Sequence, residues 1–315
     1  MTSPLIKSQF RTNCKMLVDV VIYKTVHIGK YKIKEVIKMS YSRRTVTDGV
    51  TVMNKDLYDN LQDGIDEALK QETNAGFHNA KYRGKNLGTS LTTAQKQAIS
   101  SGQFTDMFIG DYWVINGVTW RIAAFDYWYR CGDTDLTTHH VVIVPDSALY
   151  SAQMHNTSSG QYESGSANTT EGGYVGSDMY KTNLEQAKTI IKQAFGEANI
   201  LTHKEYLTNA VSNGKASAGA WYDSQVDLMN ERMTYGNPVH TPANDGTTIP
   251  TNYTVDKSQL PLFAFRPDLI ANRITYWLRD VVSSAYFADV GSLGYAGCGN
   301  ASSSFGVRPA FGIKG

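Results

Sequence analysis

The chain has 315 residues, of which 41% are apolar, so it can bury a sizeable core in one large or two modest globular domains. Its formal net charge of +1 argues against nucleic-acid binding, and the lack of a long uninterrupted apolar run argues against membrane insertion. The widely spaced Cys14, Cys131 and Cys298 form neither a disulfide framework nor a zinc-type array, which fits a protein made in a reducing cytoplasm.

Residues 1–38 are basic, with Asp19 and Glu35 as their only acidic residues. One hypothesis is a basic extension that docks on a partner. The other starts from Lys34-Glu35-Val36, which AAG-GAG-GTN can encode. That is a strong bacterial ribosome-binding sequence, and Met39 follows closely. On this hypothesis Met39 is the natural start and residues 1–38 are a translated leader.

Residues 39–100 are predicted to form a helical attachment or oligomerisation region and a connector. An apolar residue recurs every fourth position between Asp56 and Gln71, which predicts an amphipathic helix: Leu57, Leu61, Ile65 and Leu69. This stripe packs either on its own domain or in an oligomer. Asn74 to Thr105 is predicted to be irregular apart from a short helix at Thr92 to Ser100.

The clearest local signal is Asn116-Gly117, which lies between two runs of apolar and aromatic residues. Asn-Gly suits both left-handed positions of a type I′ turn, so a β-hairpin is predicted. In the two-residue-loop register, Trp113 faces Trp120 and one face of the hairpin belongs to the core. His139 to Val144 is predicted to be a further strand, ended by Pro145.

Three helices are predicted after this strand. Ser177 or Asp178 caps the first and Gly196 ends it, with a stripe formed by Tyr180, Leu184, Ala187, Ile191 and Ala194. Thr202 and Glu205 form a capping box for the second, which Asn213-Gly214 ends. The third runs from Asp223 to Met233, and Asn237 to Asp256 is predicted to be a surface loop. Helices among short strands and long loops indicate an α+β fold.

Candidate metal ligands are weak. His139 and His140 are adjacent on the predicted strand, so their side chains point to opposite faces and a structural role is favoured. Asp133-Thr134-Asp135 lacks the Gly and the distal Glu of a calcium loop, and a turn is predicted there. We expect no metal, no cofactor and no catalytic residues.

The stretch from Asp280 to Ile313 has an unusual composition. It contains no Lys, Glu, Gln, Met or Trp, although all five occur upstream, and it is rich in Ser, Gly, Ala, Tyr, Phe and Asn. Codons of the form AAY, randomised at both adenines, cannot encode those five missing residues. The composition therefore indicates diversification at the codon level.

The sequence around this stretch resembles a known family. The chain is similar to the C-type-lectin-fold variable proteins of bacteriophages and prophages, whose C-terminal segment is diversified by a retroelement with an adenine-mutagenising reverse transcriptase. The motifs that carry the resemblance are Tyr276-Trp277-Leu278-Arg279-Asp280, Gly306-Val307-Arg308-Pro309-Ala310-Phe311, Phe108-Ile109-Gly110-Asp111-Tyr112-Trp113, His139-His140-Val141-Val142-Ile143-Val144-Pro145-Asp146 and Gly172-Gly173-Tyr174-Val175-Gly176-Ser177. The resemblance covers about the last two-thirds of the chain.

The resemblance implies an α+β, C-type lectin-like fold of the formylglycine-generating-enzyme-like subclass, with inserted helices, after a small helical N-terminal region. It places a ligand-binding domain at residues 101–315 and a variable segment at about 281–306. The scaffold of such a domain has to be independent of the varied side chains. Trp277, Val281, Phe287, Val290, Phe311 and Ile313 are predicted to be scaffold. Arg279, Asp280 and Arg308 are predicted to form salt bridges or to bind backbone carbonyls.

The function implied is that of a phage tail adhesin, which binds a host cell-surface protein or glycan. The residues expected to face solvent and contact the ligand are Asp289, Gly291, Leu293, Tyr295, Gly297, Cys298, Gly299, Asn300, Ser303, Ser304 and Phe305. Tyr, Ser, Gly and Asn are also favoured in antibody paratopes; the alternative is that Gly-Ser-Ala richness marks a flexible loop. The resemblance also implies a homotrimer bound to phage tail proteins. Met1 to Phe10 lacks the apolar segment of a signal peptide, as expected of a virion protein released by lysis.

Two alternatives stay open. The first is a virion structural protein with a fixed lectin-like domain, and the second is an enzyme that acts on cell-surface glycan. Glycoside hydrolysis needs a pair of carboxylates, and no pattern singles one out. The fold class includes formylglycine-generating oxidases, but their paired cysteines have no counterpart, because Cys298 lies in the diversified stretch far from Cys131 and Cys14.

Overall fold

The computed structural model describes residues 21–28, 31–38, 59, 62–63, 74–156, 166–208, 211–212, 215–216, 219–241 and 258–315. The chain divides into two compact units, Met1–Gln71 and Glu72–Gly315. In the first unit, β1 (Val21–Ile28) and β2 (Tyr31–Lys38) form an antiparallel pair. The helix predicted over Asp56 to Gln71 lies almost entirely outside the described residues.

The second unit contains short helices and many strands. Its helices are α1 (Ala75–Asn79), α2 (Thr93–Ser100), α3 (Gly173–Gly176), α4 (Leu184–Phe195), α5 (Glu231–Tyr235) and α6 (Pro261–Phe265). Its strands are β3 (Tyr112–Ile115), β4 (Val118–Phe125), β5 (His140–Pro145), β6 (Tyr150–Gln153), β7 (His203–Thr208), β8 (Val211–Ser212), β9 (Lys215–Ala216), β10 (Gly219–Ser224), β11 (Val226–Leu228), β12 (Tyr276–Val281), β13 (Tyr286–Val290), β14 (Ala296–Asn300), β15 (Ser304–Val307) and β16 (Pro309–Lys314).

Two five-stranded sheets organise the second unit, with strand orders β11-β16-β5-β4-β3 and β14-β13-β12-β15-β6. Neighbouring strands are antiparallel except for β12 and β15. β7 pairs with β10, and β8 with β9. The predicted α+β fold is therefore confirmed at the level of mixed helices and antiparallel sheets. In the described part of the chain, no helix is long and apolar enough to cross a bilayer.

Both five-stranded sheets contribute to one buried core, and α4 packs on the first of them. α4 packs through Phe195, whose ring contacts Trp113, Trp120 and Phe311 at centroid distances between 5.6 and 6.0 Å. Trp113 and Trp120 are fully buried, and they face each other in the register that was predicted. Asn116 and Gly117 form the turn with φ of 53° and 77°, so the predicted hairpin is confirmed.

Two predicted helices and one predicted strand are confirmed. Thr92 and Gln95 form a capping box on α2, with each side chain bonded to the backbone of the other. The helix predicted after Ser177 begins as a π-helical turn, Met179–Asn183, continues as α4 and ends at Gly196, whose φ is 82°. His140 to Pro145 forms the predicted strand and is buried along its whole length.

The helix predicted from Thr202 and Glu205 is wrong, because the segment is β7. Its pairing with β10 is a non-local interaction that outweighs the local capping pattern. The Thr202 hydroxyl accepts from Gln225 Nε2 at 2.9 Å, and Glu205 is buried in an ion pair, so neither side chain caps a helix.

The helix predicted from Asp223 to Met233 is also largely wrong. The segment finishes β10, forms β11 alongside the C-terminal β16, and becomes helical only in α5. Asn230 caps α5 by accepting from Met233 N at 2.7 Å. Most of the surface loop predicted over Asn237 to Asp256 lies outside the described residues.

The second unit begins at Glu72, upstream of the domain boundary predicted near residue 100. Residues after Glu72 contribute directly to its core, because Ile99 is fully buried. Arg83 also forms a salt bridge with the buried Asp111 at 2.6 Å. The region predicted as a connector is therefore part of the same compact unit.

Candidate functional site

The predicted variable segment forms β13, β14, β15 and the loops between them. β14 lies at the edge of its sheet and pairs only with β13 among the described strands. The segment therefore presents an edge strand, a hairpin turn at one end of it and the 301–303 loop at the other.

The predicted scaffold residues are all buried, as expected. Trp277, Phe287, Val290, Phe311 and Ile313 have no exposed surface, and Val281 is 7% exposed. The Trp277 indole also donates to Ala152 O at 2.9 Å. These side chains hold the sheet without using the exposed positions of the segment.

The charged residues that flank the segment have the predicted structural roles. Arg308 is buried, and its Nε donates to Pro145 O at 2.9 Å. Arg279 is buried too and pairs with Glu205 at 3.2 Å. Asp280 accepts from Glu231 N at 2.6 Å. Both ends of the variable segment are therefore fixed to elements outside it.

A tight turn joins β13 to β14. Gly294 N–H donates to Gly291 O, and Gly291 N–H donates to Tyr295 O, each at 2.8 Å. Gly294 has a φ of 92°, which suits glycine and completes a three-residue hairpin loop. The turn leaves the Leu293 side chain 82% exposed and the Tyr295 side chain 61% exposed.

The structure divides the predicted ligand-contacting residues into three groups. The exposed ones are Leu293, Tyr295, Cys298, Asn300 and Ser304. The half-buried ones are Gly297, Ser303 and Phe305. The buried ones are Asp289, Gly291 and Gly299, so for these three the expectation that they face solvent is wrong.

The buried glycines are covered by neighbouring side chains. The Tyr295 ring lies where a Cβ on Gly291 would be, and the Phe305 ring lies where a Cβ on Gly299 would be. A Cβ on Gly297 would meet Asp289 Oδ1 at 2.5 Å. We call Gly291, Gly297 and Gly299 the glycine sockets, because each one accommodates the side chain of another segment residue.

Asp289 is the most unusual group in the segment. It is 5% exposed, and burial and the charge of His240, with no hydrogen bond from the described residues, set the environment of its carboxylate. Burial raises the pKa of Asp289 to about 6, and the nearby His240 opposes that rise. A carboxylate that is partly desolvated and accepts no hydrogen bond from the described residues contributes unfavourably to folding.

Sequence reasoning missed a second segment that lies against this hairpin. His240 Nε2 donates to Ala296 O at 3.2 Å, and the Tyr235 hydroxyl donates to Gly294 O at 3.1 Å. Glu231 accepts hydrogen bonds from the backbone N–H groups of Val239, His240 and Thr241. No local sequence signal indicates this contact, because more than fifty residues separate the two segments.

The candidate metal ligands outside the segment have structural roles. His139 Nδ1 contacts Asp126 Oδ2 at 2.7 Å, and the buried His140 accepts from Trp128 N–H at 3.1 Å. Burial lowers the pKa of His140 to about 3, so its ring is neutral. Asp133 lies in a turn, as predicted. Among the described residues, no group of three His, Cys, Asp or Glu side chains is placed to hold a metal ion.

The two described cysteines differ in their surroundings. Cys131 is buried, Cys298 is exposed, and neither forms a disulfide. Burial together with Asp289 and Glu231 raises the pKa of Cys298, which favours the thiol over the reactive thiolate. Cys298 therefore presents a thiol at the exposed face of β14.

Known proteins provide no template for this chain. No protein-family model, curated protein or solved structure matches it. We therefore derive its function from the arrangement of its own residues.

Proposed function

We propose that this chain is a receptor-binding protein of a bacteriophage or prophage, with a C-type lectin-like fold and a surface diversified by a retroelement. The observation that carries the proposal is the division of residues 280–313 into a buried scaffold and an exposed edge. Every residue of this stretch belongs to the set that randomised AAY codons encode. The varied positions can therefore change without removing the core.

Exposed apolar side chains are concentrated in this segment. Tyr286, Leu293 and Tyr295 are 40%, 82% and 61% exposed, and they are half of the large exposed apolar side chains in the described part of the chain. Such groups are characteristic of interaction sites. Tyr gives a large contact area at low entropic cost, while Ser, Gly and Asn adapt their hydrogen bonds to the ligand.

The partner on this proposal is a host cell-surface molecule, and the protein acts by binding. The exposed side chains of Tyr286, Leu293 and Tyr295 are largely apolar, which suits a protein better than a sugar. A homotrimer on the phage tail would present several copies together. Weak single sites would then give high avidity.

Binding to intact cells tests this proposal. The purified full chain is labelled with a fluorophore and incubated with a panel of bacterial strains that includes the one carrying the gene. We expect binding to at least one strain and a loss of about 10-fold or more for the double variant Leu293→Ser, Tyr295→Ser. Phe265→Ser is the matched control, because Phe265 is also exposed (43%) but lies outside the segment.

The same experiment separates the alternatives. Binding to no strain would contradict the adhesin proposal and favour a structural protein that contacts only other virion proteins. Release of sugar from the cells would instead reveal an enzyme. Equal loss of binding for the double variant and for Phe265→Ser would exclude the hairpin as the contact surface.

A further inference from the structure

We infer that Asp289 binds a guanidinium or ammonium group of a partner protein, carried on an extended segment that lies along β14. The inference rests on the proposed function and specifies the chemistry of its ligand. Three features of the described residues support it: an unpaired buried carboxylate, the side chains around that carboxylate, and the outward-pointing backbone groups of Cys298 on the edge of β14.

The first feature is the carboxylate itself. Asp289 is 5% exposed and has no hydrogen-bond donor among the described residues. Leaving a buried polar group unpaired destabilises the folded protein, and a cationic donor would remove that cost. Glu231 is the other carboxylate near Cys298, and it already accepts hydrogen bonds from several backbone N–H groups. Its oxygens are therefore less available to a cationic group of the ligand. Asp289 is therefore the acceptor with unused capacity.

The second feature is the surroundings of Asp289. Asp289 and Gly297 are paired across β13 and β14, and the glycine socket at Gly297 holds the carboxylate close to the β14 backbone. Tyr295, which directly precedes β14, lies two residues before Gly297, and its ring is largely exposed. A guanidinium that reaches the carboxylate can stack on such a ring, whereas its aliphatic stem can pack on Leu293.

The third feature is the edge of β14. In the β13–β14 ladder, pairs that bond to each other through the backbone alternate with pairs that do not. Gly291/Tyr295 and Ala285/Ala301 are bonded pairs, so the pair Ala288/Cys298 is a non-bonded one. The backbone N–H and C=O of Cys298, which faces Ala288, therefore point away from β13. An extended peptide can bond to them as a short added strand that starts beyond Ala296, whose carbonyl oxygen already accepts from His240 Nε2. This backbone recognition favours a protein ligand over an amino sugar.

Selection from a random-peptide library on the immobilised full chain tests the inference. We expect the selected peptides to share one Arg or Lys at a fixed position. For one such peptide, we expect Kd to rise about 10-fold or more when that residue is replaced by Gln, which leaves the protein unchanged. We expect a similar rise for Asp289→Asn.

Asp223→Asn is the matched control, because it removes the same charge from an exposed carboxylate that pairs with Lys204 Nζ at 2.8 Å. Its Kd should not change. Peptides without a shared basic residue, or equal affinity for the Gln-substituted peptide, would overturn the inference. The inference and the proposed function fail in different ways. If cells bind the wild-type chain and the Asp289→Asn variant equally, only the cation site at Asp289 is refuted. If no cells bind the wild-type chain, the adhesin function is refuted.

Discussion

Arg279 and Glu205 form an ion pair that joins β12, just before the predicted variable segment, to β7. Arg279 Nη2 and Glu205 Oε2 are 3.2 Å apart, and the two side chains are 6% and 1% exposed. Trp128 Nε1 also donates to Glu205 Oε1 at 3.0 Å. Burial alone would raise the pKa of Glu205, but Arg279, His203 and Trp128 outweigh it and lower the pKa. The carboxylate is therefore ionised at neutral pH and holds Arg279 in place.

The first prediction concerns this pair. Replacing Glu205 by Ala leaves the Arg279 guanidinium buried without its counter-ion, which should cost about 3–5 kcal/mol of unfolding free energy. Urea denaturation at pH 7 measures the change. Glu185→Ala is the control, because Glu185 pairs with Lys188 on the surface and such pairs contribute at most about 1 kcal/mol. Equal losses for the two variants would show that the buried pair is not structural.

The second prediction concerns Asp227, which is 4% exposed and accepts from the Tyr174 hydroxyl at 2.9 Å. Burial raises the pKa of Asp227 to about 7; Arg279 opposes this effect and Glu205 adds to it. The folded pKa of Asp227 lies above the unfolded value of about 3.9, so the folded protein favours the protonated carboxyl group. The stability that this group contributes is fully present below about pH 4 and is lost as pH rises through 7, because the buried carboxyl group then has to ionise.

Asp227→Asn removes this titration. Relative to the variant, the wild-type chain should lose about 2–3 kcal/mol of unfolding free energy between pH 5 and pH 8. Urea denaturation of both proteins at the two pH values measures the difference. A gap between the two proteins that does not change with pH would contradict the raised pKa.

The third prediction concerns the socket at Gly297. This glycine does not have a positive φ, so only the Asp289 carboxylate stands in the way of a Cβ. Gly297→Ala should destabilise the wild-type chain by about 1 kcal/mol and should be neutral or stabilising when Asp289 is already Ala. A double-mutant cycle of unfolding free energies gives the coupling, and a coupling of zero would contradict the packing described.

The fourth prediction concerns natural variation. In a population that carries this gene, deep sequencing of codons 280–313 should show clustered substitutions at the exposed positions Leu293, Tyr295, Cys298, Asn300 and Ser304. The codons of Phe287, Ala288 and Val290, which are fully buried, should stay constant, because changes there would create cavities or clashes in the core. Uniform sequences would indicate a fixed specificity, and variation spread evenly over buried codons would contradict a retroelement surface.

Local signals in the sequence were sufficient for several elements. The Asn116-Gly117 turn, the short helix that begins after Thr92 and the end of α4 at Gly196 each depend on residues that are close along the chain. Their backbone conformations follow from steric preferences and short-range hydrogen bonds. The division into scaffold and exposed edge was predicted in part, since large aromatic and β-branched residues seek burial wherever they lie.

Long-range pairing decided what local signals could not. Thr202 and Glu205 carry a helix-capping pattern, yet the segment forms β7 because it pairs with β10. Glu205 also forms an ion pair with Arg279, which is distant in sequence. Asp289 has the sequence character of a surface residue, but its carboxylate packs against Gly297 and Gly299 and is buried. The sequence by itself predicted a variable segment and determined several turns and helix ends; only the tertiary structure decided which residues of that segment are exposed, because exposure depends on neighbours brought together by folding.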